Sequence, residues 1–138
     1  MNLKEESQKK YVELQLLDQQ IKQLQQQLMA INQQIVELKN IDADLGEFEN
    51  VKKDSKMFFS LGPGIFAEGV ITNKDLLLNV GSNVMVKKAI PDTKKIIGLQ
   101  IDELTGLITN IQSDIQNVGL RGHELQEELT ELDTKKDK

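Results

Sequence analysis

Leu14, Leu17, Ile21, Leu24, Leu28, Ile31, Ile35 and Leu38 follow one another in alternating steps of three and four. Little else tolerates that spacing: a helix of 3.6 residues per turn gathers all of them on one narrow stripe, whereas a strand scatters them over both faces. A stripe kept over several heptads is the a/d seam of a coiled coil. The register stumbles at Asp42, which takes position a while Ile41 lies one residue early and Leu45 resumes position d. Such a break changes the supercoil locally. Gly46 and the polar stretch at 50–56 then weaken helix propensity, so the first arm is expected to end near Phe48. Its e and g positions (Asp18, Gln20, Gln25, Gln27, Asn32, Gln34, Lys39) are mostly neutral amides. Partner choice in solution usually rests on opposed e/g charges, so the spacing favours a partner on the same chain. The glutamine-rich run at 23–27 keeps the register through Leu24 and Leu28 and reads as helix rather than low complexity.

A second seam follows Pro91: Ile97, Ile101, Leu104, Ile108, Ile111, Ile115 and Val118, then Leu125, Leu129 and Leu132. Pro91 suits a first helical turn, and Asp92 and Thr93 carry side chains able to cap free N–H groups. Gly122 stands on position a close to Gly119, and each costs about 1 kcal/mol relative to Ala, which marks a bend or soft spot. Residues 134–138 hold no apolar side chain and are expected to fray. Two arms of similar length fold back most simply as an antiparallel helical hairpin of about 60 Å, roughly 40 residues at 1.5 Å each. The parts are arm one at 1–50, an insert at 57–90, arm two at 92–133 and the tail.

The insert holds three of the four phenylalanines and is punctuated by Gly62-Pro63-Gly64, Asn73-Lys74-Asp75 and Gly81-Ser82-Asn83. Short apolar runs between such residues are strands and turns, here near 57–61, 65–72, 76–80 and 84–89. Pro63 and Gly64 suit the central positions of a type II turn. Two hairpins turning at 62–64 and 81–83 are one reading; a main hairpin turn at 73–75 is the other, and the residues leave both open. Isolated hairpins are marginal in water and need a further layer. The insert is therefore read as an assembly platform carrying two helical arms.

The remaining chemistry is thin. At 138 residues one domain is expected; the absence of Cys removes thiol nucleophiles and zinc thiolates and fits a reducing compartment. A net charge of −5 gives no footprint for nucleic acid or an anionic membrane. No apolar run is long enough to span a bilayer, and the first residues show no secretory h-region, so the expected location is cytoplasmic. Gly62-Pro63-Gly64 does not continue as a dinucleotide or P-loop motif. The single His123 has no second His or Cys to share a metal, and Glu124, Glu127, Glu128 and Glu131 have the spacing of a solvated helix face. The pairs Lys52-Lys53 and Lys87-Lys88 are too small for a nucleic-acid patch. No Ser, His and Asp are aligned as a triad. No catalytic, cofactor or metal residue is expected, and no enzyme.

Leu61-Gly62-Pro63-Gly64-Ile65-Phe66, then Gly69-Val70-Ile71, and the run from Asn79-Val80-Gly81-Ser82-Asn83 through Val84-Met85-Val86-Lys87-Lys88 resemble the prefoldin family, specifically its α class. Asn83 stands where the family usually has a second glycine, and Asn tolerates positive φ better than most residues. The specific likeness covers about 61–104; the arms match in pattern only. The resemblance implies an α+β fold, a long antiparallel coiled-coil helical hairpin joined by two β-hairpins that build an oligomeric β-barrel body. It implies a hexamer of two α and four β-class subunits that holds unfolded polypeptides without nucleotide hydrolysis and passes them to a group II chaperonin. Carried onto this chain, the body interface falls on Phe58, Leu61, Ile65, Phe66 and Val70, with Leu76, Leu78, Val80, Val84 and Val86 from the second hairpin. Client contacts fall at the arm tips, on Leu3, Tyr11 and Val12 and on Leu129 and Leu132. No cofactor, nucleic acid or membrane is implied. A structural or adaptor coiled-coil subunit, and a prefoldin-like subunit of another assembly, are the alternatives; a plain scaffold has no need of the glycine-patterned insert.

Overall fold

A computed structural model describes residues 2–136. In chain order it comprises helix α1 (Leu3–Glu49), strands β1 (Lys56–Gly62), β2 (Ile65–Val70), β3 (Leu76–Asn79) and β4 (Met85–Lys88), and helix α2 (Ile90–Lys136). The fold is α+β, as expected: two long helices and two antiparallel hairpins. The chain divides into a terminal unit, up to Ile35 together with everything from Leu104 on, and a central unit, Val36–Glu103.

Helix α1 starts where Asn2 Oδ1 accepts the N–H of Glu5 at 2.8 Å, and Glu5 and Glu6 complement the positive end of its dipole. Strong helix formers carry it through the register break: Ile41 turns outward while Asp42, Leu45 and Phe48 stay half-buried. Its last turn has no basic residue. The missing positive charge comes from Lys74, whose ammonium donates to the Glu49 carbonyl at 2.5 Å, and Asn50 Nδ2 donates to the Gly46 carbonyl.

Helix α2 begins one residue before Pro91, which leaves the proline in the first turn, where its absent N–H is not needed. Thr93 does not cap, contrary to expectation. Thr93 is already the fourth residue of the helix, past the cap position, so its buried hydroxyl donates back to the Ala89 carbonyl at 3.0 Å, which its own N–H also meets. The helix runs unbroken through Gly119 and Gly122 and on to Lys136. Residues 134–136, expected to fray, are helical, and Thr134 Oγ1 donates to the Thr130 carbonyl; residues 137–138 of that expectation lie outside the described residues.

In the terminal unit the helices pair antiparallel, with Lys10 against Glu128, Glu13 against Arg121, and Leu14 nearest to Gly122. Ile35, Ile111, Leu125, Leu129 and Leu132 are its buried apolar residues. The central unit buries Ile71, Ile90 and Ile97.

The hairpins turn at both glycine-rich triplets, and 73–75 is a connection rather than a hairpin turn. Strand β1 pairs with β2 from Lys56↔Val70 to Gly62↔Ile65, with a bulge between Ser60 and Gly62. That register leaves Pro63 and Gly64 as a two-residue loop, and Gly64 has φ 73°, the type II value that only glycine reaches at no steric cost. Strand β3 pairs with β4 from Leu76↔Lys88 to Asn79↔Met85. Here Gly81, Ser82 and Asn83 have φ of 116°, 50° and 61°, so Asn83 adopts the left-handed conformation anticipated for it.

Candidate interaction surfaces

Pairing fixes which side chains share a face. Phe58, Phe66 and Val70 lie on one side of the β1–β2 hairpin with Lys56, Ser60 and Glu68; Met57, Phe59, Ala67 and Gly69 lie on the other. On the first side Phe58 is 73% exposed and Phe66 63%, and the 3.9 Å Lys56–Glu68 ion pair lies on the same face. On the second side the Phe59 ring lies across Gly69: a Cβ placed there would stand 2.6 Å from ring carbon Cε2. Leu61 and Ile65, at the bulged end, are exposed as well.

On the second hairpin Leu76, Leu78, Val86 and Lys88 share the half-buried face. Leu76 helps line a recess of about 450 Å³ with Leu45, Phe48, Val51 and Met57. Val80 and Val84 flank the turn, joined by the Val80 N–H to Val84 carbonyl bond at 3.0 Å, and both are exposed. Leu77 and Met85 point to the open face. Neither is among the interface residues that the resemblance implies, although strict alternation from Leu76 and Val86 places both on this face. Each sheet has two strands, so both hairpins present free edges as well as apolar faces.

The arm ends differ from the expectation in one respect. Leu3, Tyr11 and Val12 are exposed, but Leu129 and Leu132 have a place in the closed seam: they are 5% and 6% exposed, next to the fully buried Leu125. The reason lies on α1, whose heptad continues below Leu14 with Ser7 on position a and Lys10 on position d. The apolar pattern stops there while the helix does not. The α2 leucines thus lie buried at a level where α1 offers the buried Ser7 and the Lys10 stem, with Leu3 on the next position d, and the Ser7 hydroxyl has no hydrogen-bond partner among the described residues.

Beside that seam lies an ion cluster. Lys10 donates to Glu128 at 2.6 Å, and Arg121 meets Glu13 at 3.1 Å, Glu124 at 3.3 Å and Glu128 at 3.8 Å. The hydrogen bond from Lys10 leads in holding the Glu128 carboxyl below its ordinary pKa, and the bond to Glu13 leads in raising that of Arg121. Partial solvent exposure keeps each pair weak, so the cluster matters as a network. His123 lies 3.1 Å from Glu127 on an exposed face. No group of three or more His, Asp or Glu suited to a metal occurs among the described residues. No helix among them is long and apolar enough to cross a membrane.

The model of the family described as "Prefoldin subunit" matches residues 17–135, nearly the whole path from arm through both hairpins to arm. The chain belongs to the prefoldin family. The α subunit of Archaeoglobus fulgidus prefoldin is 26% identical over 94% of this chain and 95% of its own length. Prefoldin subunit alpha 1 of Methanocaldococcus jannaschii is 26% identical over 83% of this chain and 89% of its own. These α-subunit relatives extend over most of the chain and put this prefoldin in the α class. A chain of the filamentous prefoldin of M. jannaschii superposes with a TM-score of 0.78, covering 86% of this chain and 98% of that one, at 16% identity. At that identity the likeness speaks for the fold. Prefoldins are chaperones, so this chain is a chaperone subunit of an oligomer-forming family.

Proposed function

We propose that this chain is the α-class subunit of a nucleotide-independent holdase, working in the cytoplasm as a hexamer of two α and four β-class subunits. It receives unfolded polypeptides at its arm ends and passes them to a group II chaperonin. The observation that carries the reading is the pair of small hairpins whose apolar faces and edges are bare in the single chain. A two-stranded sheet with Phe58, Phe66 and Val70 in water is unstable as a final state, and other subunits are the natural cover. The exposed Leu3, Tyr11 and Val12, with the shallowly covered Leu129 and Leu132, are the apolar supply for clients. Weak contacts repeated over several arms add up without a deep pocket.

The test dilutes a guanidinium-denatured client into the chain alone and into the chain mixed with a β-class prefoldin subunit, and follows light scattering. Suppression of scattering by the mixture is expected. Deleting residues 1–10 and 130–138 together should leave the complex intact in sedimentation and remove most of the suppression. Full suppression after that deletion takes the arm ends out of client binding. A complex that forms but never suppresses scattering favours the adaptor reading.

A further inference from the structure

We infer that the side of the terminal unit carries a notch for one bulky apolar side chain of an extended polypeptide that has a Lys or Arg close by in its sequence. The inference rests on the holdase reading and names the chemistry of the segment it captures. Ile, Leu and Val fill the α2 seam except at one layer, where Gly122 leaves the position empty. The packing has not collapsed into the gap: the nearest outside atom to a Cβ at Gly122 is Leu14 Cδ2, 3.9 Å away. What remains is a recess of about 240 Å³ walled by Leu14, Leu17, Ile21 and Val118, with Gly119 and Gly122 as its floor and Asp18, His123 and Gln126 at its rim. An apolar cavity of about 150 Å³ accepts benzene, so the recess has room for a Leu or Phe side chain.

The surroundings select among occupants. Past His123 and Gln126 the recess continues into a shallower groove of about 540 Å³ reaching Glu127, Thr130 and Glu131. Asp18, Glu127 and Glu131 outnumber the local lysines, which are Lys22, 3.8 Å from Asp18, and Lys135, one turn beyond Glu131; His123 lies 3.1 Å from Glu127. Lys10 and Arg121 are engaged by Glu13, Glu124 and Glu128. An apolar notch opening into an acidic groove complements an apolar residue with a basic neighbour. A second copy of this chain, at net charge −5, is disfavoured by like charge.

The experiment uses the full chain, alone and assembled with β-class subunits. The probe is a short fluorescent unstructured peptide with one Phe between lysines, read by anisotropy. Gly122→Leu fills the notch: peptide binding should weaken by roughly tenfold or more, while the helical melting midpoint holds or rises. Gly122→Ala, whose methyl fits without displacement, should give a smaller loss and guards against a Leu variant that fails to fold. Changing the peptide Phe to Ser, or its lysines to Glu, should abolish binding, and E127Q with E131Q should weaken it and flatten its salt dependence. Unchanged peptide binding by Gly122→Leu, or equal binding of the Ser peptide, overturns the notch. If the parent complex suppresses client aggregation and Gly122→Leu does so equally, only the notch fails; if the parent never suppresses it, the holdase reading has failed first.

Discussion

Phe66 is the sharpest probe of whether the bare hairpin face is an assembly face. In the single chain it is 63% exposed, on the open side of the β1–β2 hairpin with Phe58 and Val70. Truncation to Ala therefore removes little that the single chain has buried, and the helical melting curve of the isolated subunit should move by less than about 1 kcal/mol. Burial by another subunit changes the arithmetic. A Phe side chain offers on the order of 200 Å², of which the exposed share is about 130 Å². At about 25 cal/mol per Å² its cover is worth about 3 kcal/mol per site, or a loss of roughly 100-fold in association. Sedimentation of F66A mixed with β-class subunits over a concentration series measures this directly, with far-UV circular dichroism of the same samples as the control. Assembly at an unchanged midpoint takes Phe66 out of the interface. A large loss of helical stability in the isolated subunit would show instead that the ring supports the chain itself.

Three further outcomes follow from contacts inside the molecule. Gly69→Ala puts a methyl 2.6 Å from the Phe59 ring and should destabilise the first hairpin by about 1–2 kcal/mol, with F59A relieving the clash; hydrogen exchange of the β1 and β2 amides reads both. Lys74→Ala removes the ammonium from the end of α1 and should cost about 1 kcal/mol, seen as faster exchange at the last turn of that helix, whereas Lys74→Arg should recover part of it. Glu128 has a depressed pKa, so its contribution is present above the ordinary glutamate range and is lost as pH falls through its folded value. Acidification below that range should therefore lower the protection factors of the amides near Leu125 and Leu129, after correction for the slower intrinsic exchange in acid, and E128Q should flatten that dependence; an unaltered protection profile in E128Q removes the cluster from any part in holding the arm end.

The sequence showed the fold wherever geometry is local. An alternation of three and four is a helix stripe by necessity, and Pro63-Gly64 is a turn because few other residues reach φ 73°. Choosing between hairpin turns needed pairing information that no local pattern carries, since 73–75 has turn chemistry too: Asn73 Oδ1 accepts the Asp75 N–H. Lys74 reaching a carbonyl 25 residues earlier has no sequence signature at all. At the arm end Leu129 and Leu132 keep the α2 heptad, but the α1 heptad carries Ser7 and Lys10 below Leu14, so the spacing does not show that these leucines are covered. Their burial came from helix continuing through Ser7 and Lys10, which hydrophobic spacing cannot register. The ion cluster escaped for a related reason, because Lys10 sits on a seam position that the spacing reserves for apolar residues.

The unequal seam at the arm end also sets how it answers to temperature. One side contributes Leu125, Leu129 and Leu132, the other a lysine stem and the Ser7 hydroxyl, which has no hydrogen-bond partner among the described residues, so closure there rests on covering leucines. Covering apolar surface is entropy-driven near room temperature and carries a negative heat capacity change. Such closure loosens on cooling and tightens on moderate warming, the opposite of what the ion cluster alone would do if its bonds were enthalpic. Across a growth range the same end of the arm is thus more open in the cold, where apolar surfaces attract weakly. In the heat, where apolar attraction is strongest, that end stays closed.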